Sequence, residues 1–194
     1  TMFGMEKPVK IGTLNANGDF EINLSVDPTE KLSEEERELY ISNLSYGFQY
    51  VCGNPGDFPE GEAKIASSAR HIALWADNTW AGVLFPVSNL KLQLWMENNG
   101  FNDAVEGSFY QVLLVTEDVN LQKKCINFDY YNDEDIEVNV EYDLKLKKGL
   151  NLIAYQLESV YKTNPDIRAS FPKKIRMTNA GDNPKIMWIA KYFF

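Results

Sequence analysis

The chain of 194 residues is long enough for one domain with a sizeable core, because 44% of its residues are hydrophobic and 13% are aromatic. Its 28 acidic and 19 basic residues give a formal net charge of -9, and a field of that sign repels phosphate backbones and anionic membranes. The composition therefore argues against nucleic acid as a partner, and no run approaches the roughly 18 apolar residues of a transmembrane helix.

The first predicted element is a β-hairpin near the N-terminus. Residues 9–14 and 20–26 alternate apolar and polar side chains, and the Asn-Ala-Asn-Gly sequence between them ends in a step that is typical of hairpin turns. We expect the apolar side chains of the second arm to face the core. These are Phe20, Ile22, Leu24 and Val26.

A capping box predicts one short helix over residues 34–43. The Ser33 hydroxyl can serve the first turn while Glu36 reaches back, and three consecutive glutamates suit the positive end of the helix dipole. Residues 46–52 and 65–75 are then predicted as strands, although the small residues of the second range also fit a helix.

Asp77 and Asn78 are predicted to turn the chain, and three further strands are predicted over residues 80–86, 90–96 and 109–116. In the second of them, leucine and methionine alternate with Lys91, Gln93 and Trp95. A strand of that pattern directs Trp95 away from the core, toward solvent or a second layer.

The strongest pattern in the chain lies at residues 136–157. Apolar and polar side chains alternate strictly over the first twelve residues, Lys147, Lys148 and Gly149 interrupt the pattern, and an apolar stretch follows that is suited to burial on both faces. We interpret this as a β-hairpin. Residues 174–177 and the apolar C-terminus, residues 185–194, complete the predicted strands, and the latter is expected to dock in a sheet.

These elements predict an all-β fold with a single domain over residues 1–194. About ten strands, one short helix and no βαβ alternation indicate an antiparallel β-sandwich of the jelly-roll or Ig-like kind, with a closed β-barrel as the alternative.

The sequence contains few features that are typical of catalytic sites. His71 is the single histidine and lies in an apolar stretch, no serine stands in a GxSxG context, and a multi-histidine zinc site is excluded. Cys52 and Cys125 show no CxxC spacing; they can form one disulfide in an oxidising compartment or lie as two small buried groups.

An acidic segment offers one metal hypothesis. Asp129, Asp133 and Asp135 lie within one loop whose oxygen ligands suit calcium. The spacing is not that of an EF-hand, however, so the sequence favours no cofactor and a solvated acidic loop.

Aromatic residues near strand ends or in polar surroundings offer a binding hypothesis. Tryptophan and tyrosine rings stack on sugars through their apolar faces, and the candidates are Trp75, Trp80, Trp95, Tyr130 and Tyr131. Burial of these rings in the core is the competing interpretation.

Two segments together resemble uncharacterised exported β-sandwich lipoproteins of the Bacteroidetes type. They are KIGTLNANGDFEINL near the N-terminus and DLKLKKGLNLIAY followed by the Trp-bearing last strand IMWIAKYFF. The regions that contain them, residues 10–24 and 143–194, are about a third of the chain. The resemblance implies an exported protein at the periplasm or outer cell surface, tethered through a lipidated cysteine upstream of Thr1. It carries no catalytic motif and no site residue.

The sequence thus suggests a non-enzymatic binding or structural module of the cell envelope that engages a glycan or a cell-surface protein. A carboxylate-based polysaccharide hydrolase is the alternative, since such enzymes need two facing carboxylates. A third hypothesis, carriage of a small molecule, requires a closed barrel with an apolar cavity.

Overall fold

The computed structural model describes residues 10–27, 29–30, 32–53, 64–69, 72–99, 102–131, 134–162, 170–181 and 185–193. The predicted fold class is confirmed: these residues are mostly β, in antiparallel and mixed sheets consistent with a β-sandwich, and their sheets do not close into a barrel. No helix among them is long and apolar enough to cross a membrane.

The described elements follow one another along the chain, with a 3-10 helix at Leu44–Gly47. They are β1 (Gly12–Leu14), β2 (Phe20–Ile22), α1 (Glu34–Tyr40), β3 (Ser42–Asn43), β4 (Lys64–Ala69), β5 (Ile72–Ala76), β6 (Thr79–Val87), α2 (Leu90–Glu97), β7 (Gly107–Val115), β8 (Val119–Tyr131), β9 (Glu134–Leu146), β10 (Gly149–Lys162), β11 (Ser170–Asn179) and β12 (Met187–Tyr192).

The main sheet has the order β12-β6-β7-β10-β11-β9-β8, with β5 on the other edge of β6 and β4 beside β7. Strands β6 and β7 pair at a single position, Val87 with Phe109, so the sheet changes direction there. Side chains of β6 and of β7 to β11 nevertheless belong to one buried core, as expected when two layers pack face to face. The β1–β2 hairpin forms a separate two-stranded sheet.

Strand β9 confirms the alternation read from the sequence. Its apolar side chains are all buried in the core, namely Ile136, Val138, Val140, Tyr142, Leu144 and Leu146. Strand β10 is buried on both faces as predicted: Ile153, Tyr155 and Leu157 belong to the main core, whereas Leu150 and Leu152 pack against a second, smaller one. Gly149 adopts the positive φ of 106° that the turn requires.

The pairing of these two strands differs from the predicted hairpin. Strand β11 lies between them, antiparallel to β10 and parallel to β9. Where β11 ends, the Asn179 side chain accepts from Lys145 N at 2.7 Å and donates to Lys145 O at 3.0 Å, which replaces the missing strand partner. The chain from β9 to β10 therefore passes around the end of a third strand, and alternation alone does not reveal such an insertion.

Two segments predicted as strands are helical. Residues 90–96 lie in α2, which begins where the Asn89 Oδ1 atom accepts a hydrogen bond from Leu92 N at 3.1 Å. Leucine, lysine, glutamine and methionine are strong helix formers, and the helix buries Leu92 together with Trp95. Residues 46–52 begin inside the 3-10 helix and continue as irregular chain.

The other expectations are confirmed with adjusted ends. Helix α1 carries the complete capping box, in which Ser33 N donates to Glu36 Oε2 at 2.9 Å and Glu36 N donates to Ser33 Oγ at 3.3 Å. The predicted strand over residues 65–75 is present as β4 and β5. In the N-terminal hairpin, however, Phe20 is 37% exposed and does not face the core, because its ring packs on the half-buried Trp188.

The cysteines form a disulfide between Cys52 and Cys125. It ties residues 44–53, which cross the main core, to strand β8. Core side chains also bind the backbone of this segment: Gln111 Nε2 donates to Gly47 O at 2.9 Å, Asn127 Nδ2 donates to Val51 O at 2.6 Å, and the Tyr142 hydroxyl donates to Tyr50 O.

Burial of Tyr142 leads to a pH-dependent prediction. Burial raises the pKa of the Tyr142 hydroxyl well above its ordinary value of about 10. The unfolded chain therefore loses this proton first, so the stabilisation is fully present below pH 10 and is lost as the pH rises toward the folded pKa. We expect the free energy of unfolding to fall by up to about 1.4 kcal/mol per pH unit above pH 10 from this group.

Urea unfolding between pH 7 and pH 11 tests this expectation, with the Tyr142→Phe variant as the comparison. The variant should be about 1 kcal/mol less stable at pH 7, because Tyr50 O loses its donor. Above pH 10 its stability should decline less steeply than that of the wild type. Equal slopes for the two proteins would contradict the assignment.

Candidate functional site

A groove lies between the β1–β2 hairpin and the layer that contains β5, β6 and β12. Its volume of about 780 Å³ falls within the range of small-molecule sites. Three stretches far apart in sequence line it: residues 10–22, residues 72–84 and the last strand. The lining residues used below are Phe20, Glu21, Leu74, Trp75, Asp77 and Tyr192.

The hairpin forms one wall of this groove, and its turn is held by a single side chain. Asn15 Oδ1 accepts from Asn17 N at 2.9 Å and from Asp19 N at 3.0 Å, and Gly18 adopts a φ of 90°. The two strands approach so closely that a Cβ atom at Gly12 would lie 2.0 Å from Glu21 O. The local sequence thus specifies a tight hairpin.

The β5–β6 turn forms the facing wall. Asp77 and Asn78 occupy its two central positions with φ values of 47° and 63°, the conformation of a two-residue hairpin turn. Strand β5 carries Leu74 and Trp75 beside the groove, and β12 contributes Tyr192. A small buried cluster that includes Ile11, Ile72 and Leu84 holds the two walls together.

Aromatic rings are accessible along the groove. Tyr192 is 52% exposed and Phe20 is 37% exposed. Trp75 is half-buried, and its indole Nε1 atom is buried with no hydrogen-bond partner among the described residues. An unpaired donor of this kind costs about 1–3 kcal/mol. A ligand that offers both apolar faces and hydroxyl oxygens is complementary to such a surface.

The two carboxylates that line the groove are both exposed. Glu21 lies in β2, and Asp77 lies in the β5–β6 turn. A glycosidase needs one carboxyl group kept protonated by an apolar environment, facing a second carboxylate. The exposed positions of Glu21 and Asp77 are unfavourable for that role.

The predicted binding residues are separated by the fold. Trp80 lies opposite Trp75 in the β5–β6 pair, is 37% exposed, and donates from Nε1 to Gly82 O at 2.9 Å, while its ring meets Phe193 edge to face at 4.6 Å. Trp95 is only 4% exposed, so its expected position outside the core is wrong. Its burial follows from the helical backbone of α2.

Tyr130 and Tyr131 lie at the end of β8, where their backbones pair with Asp135 and Glu134. Their side chains lie outside the described part of the structure, so their binding role stays a prediction.

The predicted calcium ligands lie at the connection between β8 and β9. The backbone of Asp129 pairs with Ile136, Asp135 is exposed, and Asp133 lies outside the described residues, as does His71. Within the described ranges, no three histidine, cysteine, aspartate or glutamate residues are grouped to hold a metal ion. Calcium binding at this loop stays a prediction.

The outer face of the β10-β11-β9-β8 layer offers less to a charged ligand. Cross-strand ion pairs join Lys124 to Glu141 at 3.2 Å and Arg176 to Asp143 at 3.2 Å. Lys174 pairs with Glu158 at 2.6 Å, and the hydrogen bond to Glu158 raises the pKa of Lys174. Charges on this face are thus largely engaged with each other.

Sequence reasoning missed most of the groove, because its walls come from residues 10–22, 72–84 and 192, which only the folded chain brings together. Among the aromatic residues of the groove, the sequence suggests an exposed ring for Trp75, which lies next to the Asp77–Asn78 turn, but it assigns Phe20 to the core. Comparison with models of known protein families, with curated protein sequences and with solved structures finds no significant match.

Proposed function

We propose that the protein is a non-enzymatic binding module of the cell envelope and that the groove beneath the β1–β2 hairpin binds a glycan chain. The observation that carries the proposal is a groove of about 780 Å³ with accessible aromatic rings and polar side chains on walls built from two tight hairpin turns. Preformed walls reduce the entropy lost when a ligand binds.

The chemistry of the groove favours sugars over other small molecules. Sugar rings present apolar C–H faces to aromatic side chains and hydroxyl groups to polar ones, and the groove offers Phe20, Trp75 and Tyr192 together with Glu21 and Asp77. Binding is preferred to hydrolysis because both carboxylates are exposed.

The Cys52–Cys125 disulfide supports the location in the proposal. Disulfides persist in oxidising compartments such as the periplasm and the cell surface, and thiols in the cytosol are kept reduced. The resemblance to exported lipoproteins agrees with that location. Tethering through an upstream lipidated cysteine belongs to the same proposal.

Glycan-array binding followed by calorimetry tests the function. We expect wild-type protein to bind at least one envelope or extracellular polysaccharide, and the Tyr192→Ala variant to bind it about tenfold more weakly, because a stacking ring is lost. Tyr46→Ala is the matched control: Tyr46 is 66% exposed and lies in the 3-10 helix, outside the residues that line the groove.

Equal losses in the two variants would contradict the groove as the binding site. Absence of binding to every glycan would leave a cell-surface protein as the ligand. Release of new reducing ends during the incubation would instead favour the hydrolase.

A further inference from the structure

Strand β8 is an edge strand of unusual length for a protein that stays monomeric. It pairs with β9 without a register shift from Val119 opposite Leu146 to Tyr131 opposite Glu134, a run of 13 residues. Among the described residues, no strand pairs with its other edge. A free edge of this kind presents a row of backbone donors and acceptors to another strand.

Strand β8 lacks three of the usual protections of an edge strand, which are short length, proline and a bulge, and its protection consists of charged side chains such as Lys123 and Lys124. Natural edge strands are short, or carry proline, bulges or inward charges. Strand β8 contains no proline, and its pairing with β9 is continuous. The other terminal strands of the sheet are much shorter, with 6 residues in β12 and 5 in β5.

Two large apolar side chains stand next to each other on the outer face of this strand. Ile126 is 53% exposed and Phe128 is 66% exposed, two positions apart and therefore on the same face. In an isolated chain both side chains remain in contact with water. Exposed apolar side chains next to a free edge favour the addition of a further strand, which buries them.

The distribution of charge along β8 favours a second copy of the same strand. Lys123 and Lys124 lie in its first half, whereas Asp129 lies in its second half and an acidic segment follows. In an antiparallel pair of two identical strands centred on Asn127, Lys123 of each copy lies opposite Tyr131 and diagonally from Asp129 of the other, so opposite charges are neighbours across the pair. Parallel pairing would place like charges side by side.

We infer that two copies of the chain associate through antiparallel pairing of their β8 strands, which joins the two sheets into one. A two-fold axis at Asn127 places Ile126 of each copy opposite Phe128 of the other, so four exposed apolar side chains bury one another across the axis. Lys124 of each copy then lies opposite Tyr130 of the other. The contact is distant in sequence from the groove-lining residues. A failure of the dimer proposal would therefore leave the proposed glycan function unaffected, and the reverse also holds.

Sedimentation equilibrium of the full chain between about 1 µM and about 100 µM tests the dimer. We expect the wild type to dimerise in this range and the Phe128→Lys variant to dimerise at least tenfold more weakly. Leu94→Lys is the matched control, because Leu94 is an equally apolar residue, 47% exposed, on helix α2. It should dimerise like the wild type.

A pair of double variants tests the register. Ile126→Glu with Phe128→Lys places opposite charges across the axis, so this variant should dimerise more tightly than Ile126→Lys with Phe128→Lys, in which like charges face each other. Circular dichroism checks that each variant is folded. A wild-type chain that is monomeric at the highest concentration would overturn the proposal and would leave a strand from another protein as the remaining occupant. The proposal would also be overturned if Leu94→Lys weakened dimerisation as much as Phe128→Lys does. It would be overturned likewise if the two double variants dimerised equally.

Discussion

Removal of the Cys52–Cys125 disulfide is expected to lower the free energy of unfolding by about 4 kcal/mol. The bond closes a loop of 73 residues, and the loss of that constraint raises the entropy of the unfolded chain. For a chain of this size, we expect the midpoint of thermal unfolding to fall by about 10 °C.

The protein should keep its folded structure without the disulfide. Residues 44–53 are also held by Gln111, Asn127 and Tyr142, whose side chains bind backbone carbonyls of that segment, and by Tyr155, whose hydroxyl accepts from Gln49 N at 3.3 Å. These contacts act on the folded state, whereas the disulfide acts mainly on the unfolded chain. The loss should therefore appear as reduced stability with an unchanged circular dichroism spectrum.

The measurement compares four samples by thermal unfolding: the wild type and the Cys52→Ala/Cys125→Ala variant, each with and without reductant. Reduced wild type and the double variant should agree within about 1 kcal/mol, and reductant should leave the double variant unchanged. Two free thiols in the unfolded, unreduced wild type would contradict the bond itself.

Strand β9 shows what a local sequence pattern can predict. Its alternation predicted six buried side chains because the period of two is a property of the backbone and needs no knowledge of neighbours. The insertion of β11 between β9 and β10 is a different kind of information. Which strand pairs with β9 and β10 depends on how the whole core packs. The sequence near Gly149 therefore does not show that β11 lies between them.

Helix α2 shows where local pattern misleads. Its leucines at positions 90, 92 and 94 fit a period of two, but the same segment consists of strong helix formers after an asparagine cap. Leu90 and Leu94 are exposed in the structure, at 55% and 47%, so the alternation did not mark a buried face. Propensity and capping outweigh a short apolar alternation in a segment of eight residues.

The candidate site was still harder to predict. Turn chemistry in the sequence correctly located the Asn15–Gly18 and Asp77–Asn78 turns, which form the two walls of the groove. Their approach to each other depends on the small cluster of Ile11, Ile72 and Leu84, contributed by three separate strands or strand ends. A site made by distant hairpins leaves no motif at fixed spacing.

Trp95→Ala is expected to be the most destabilising single substitution that tests this account, at about 3–5 kcal/mol. Trp95 is 4% exposed and begins a series of aromatic contacts through the main core: its ring lies 6.1 Å from that of Phe109, which stacks on Tyr155 at 4.7 Å with an interplanar angle of 5°. Truncation removes a large apolar surface and leaves a cavity between α2 and β7.

The Trp95→Phe variant distinguishes the contribution of the aromatic ring to stability from that of the indole nitrogen. The indole Nε1 of Trp95 is buried with no hydrogen-bond partner among the described residues, so a phenyl ring keeps much of the packing and removes an unsatisfied donor. We expect Trp95→Phe to cost no more than about 1.5 kcal/mol, because the smaller cavity is offset by the loss of that donor.

Urea unfolding of both variants, with Trp80→Ala as the control, measures these differences. Trp80 is 37% exposed and packs on Phe193 near the end of the chain, so its truncation should cost clearly less than that of Trp95. If Trp95→Ala were no worse than Trp80→Ala, Trp95 would not lie in the core. Because the expected defect of Trp95→Ala is in folding, any loss of ligand binding in that variant would follow its unfolded fraction, whereas Tyr192→Ala should lose binding while fully folded.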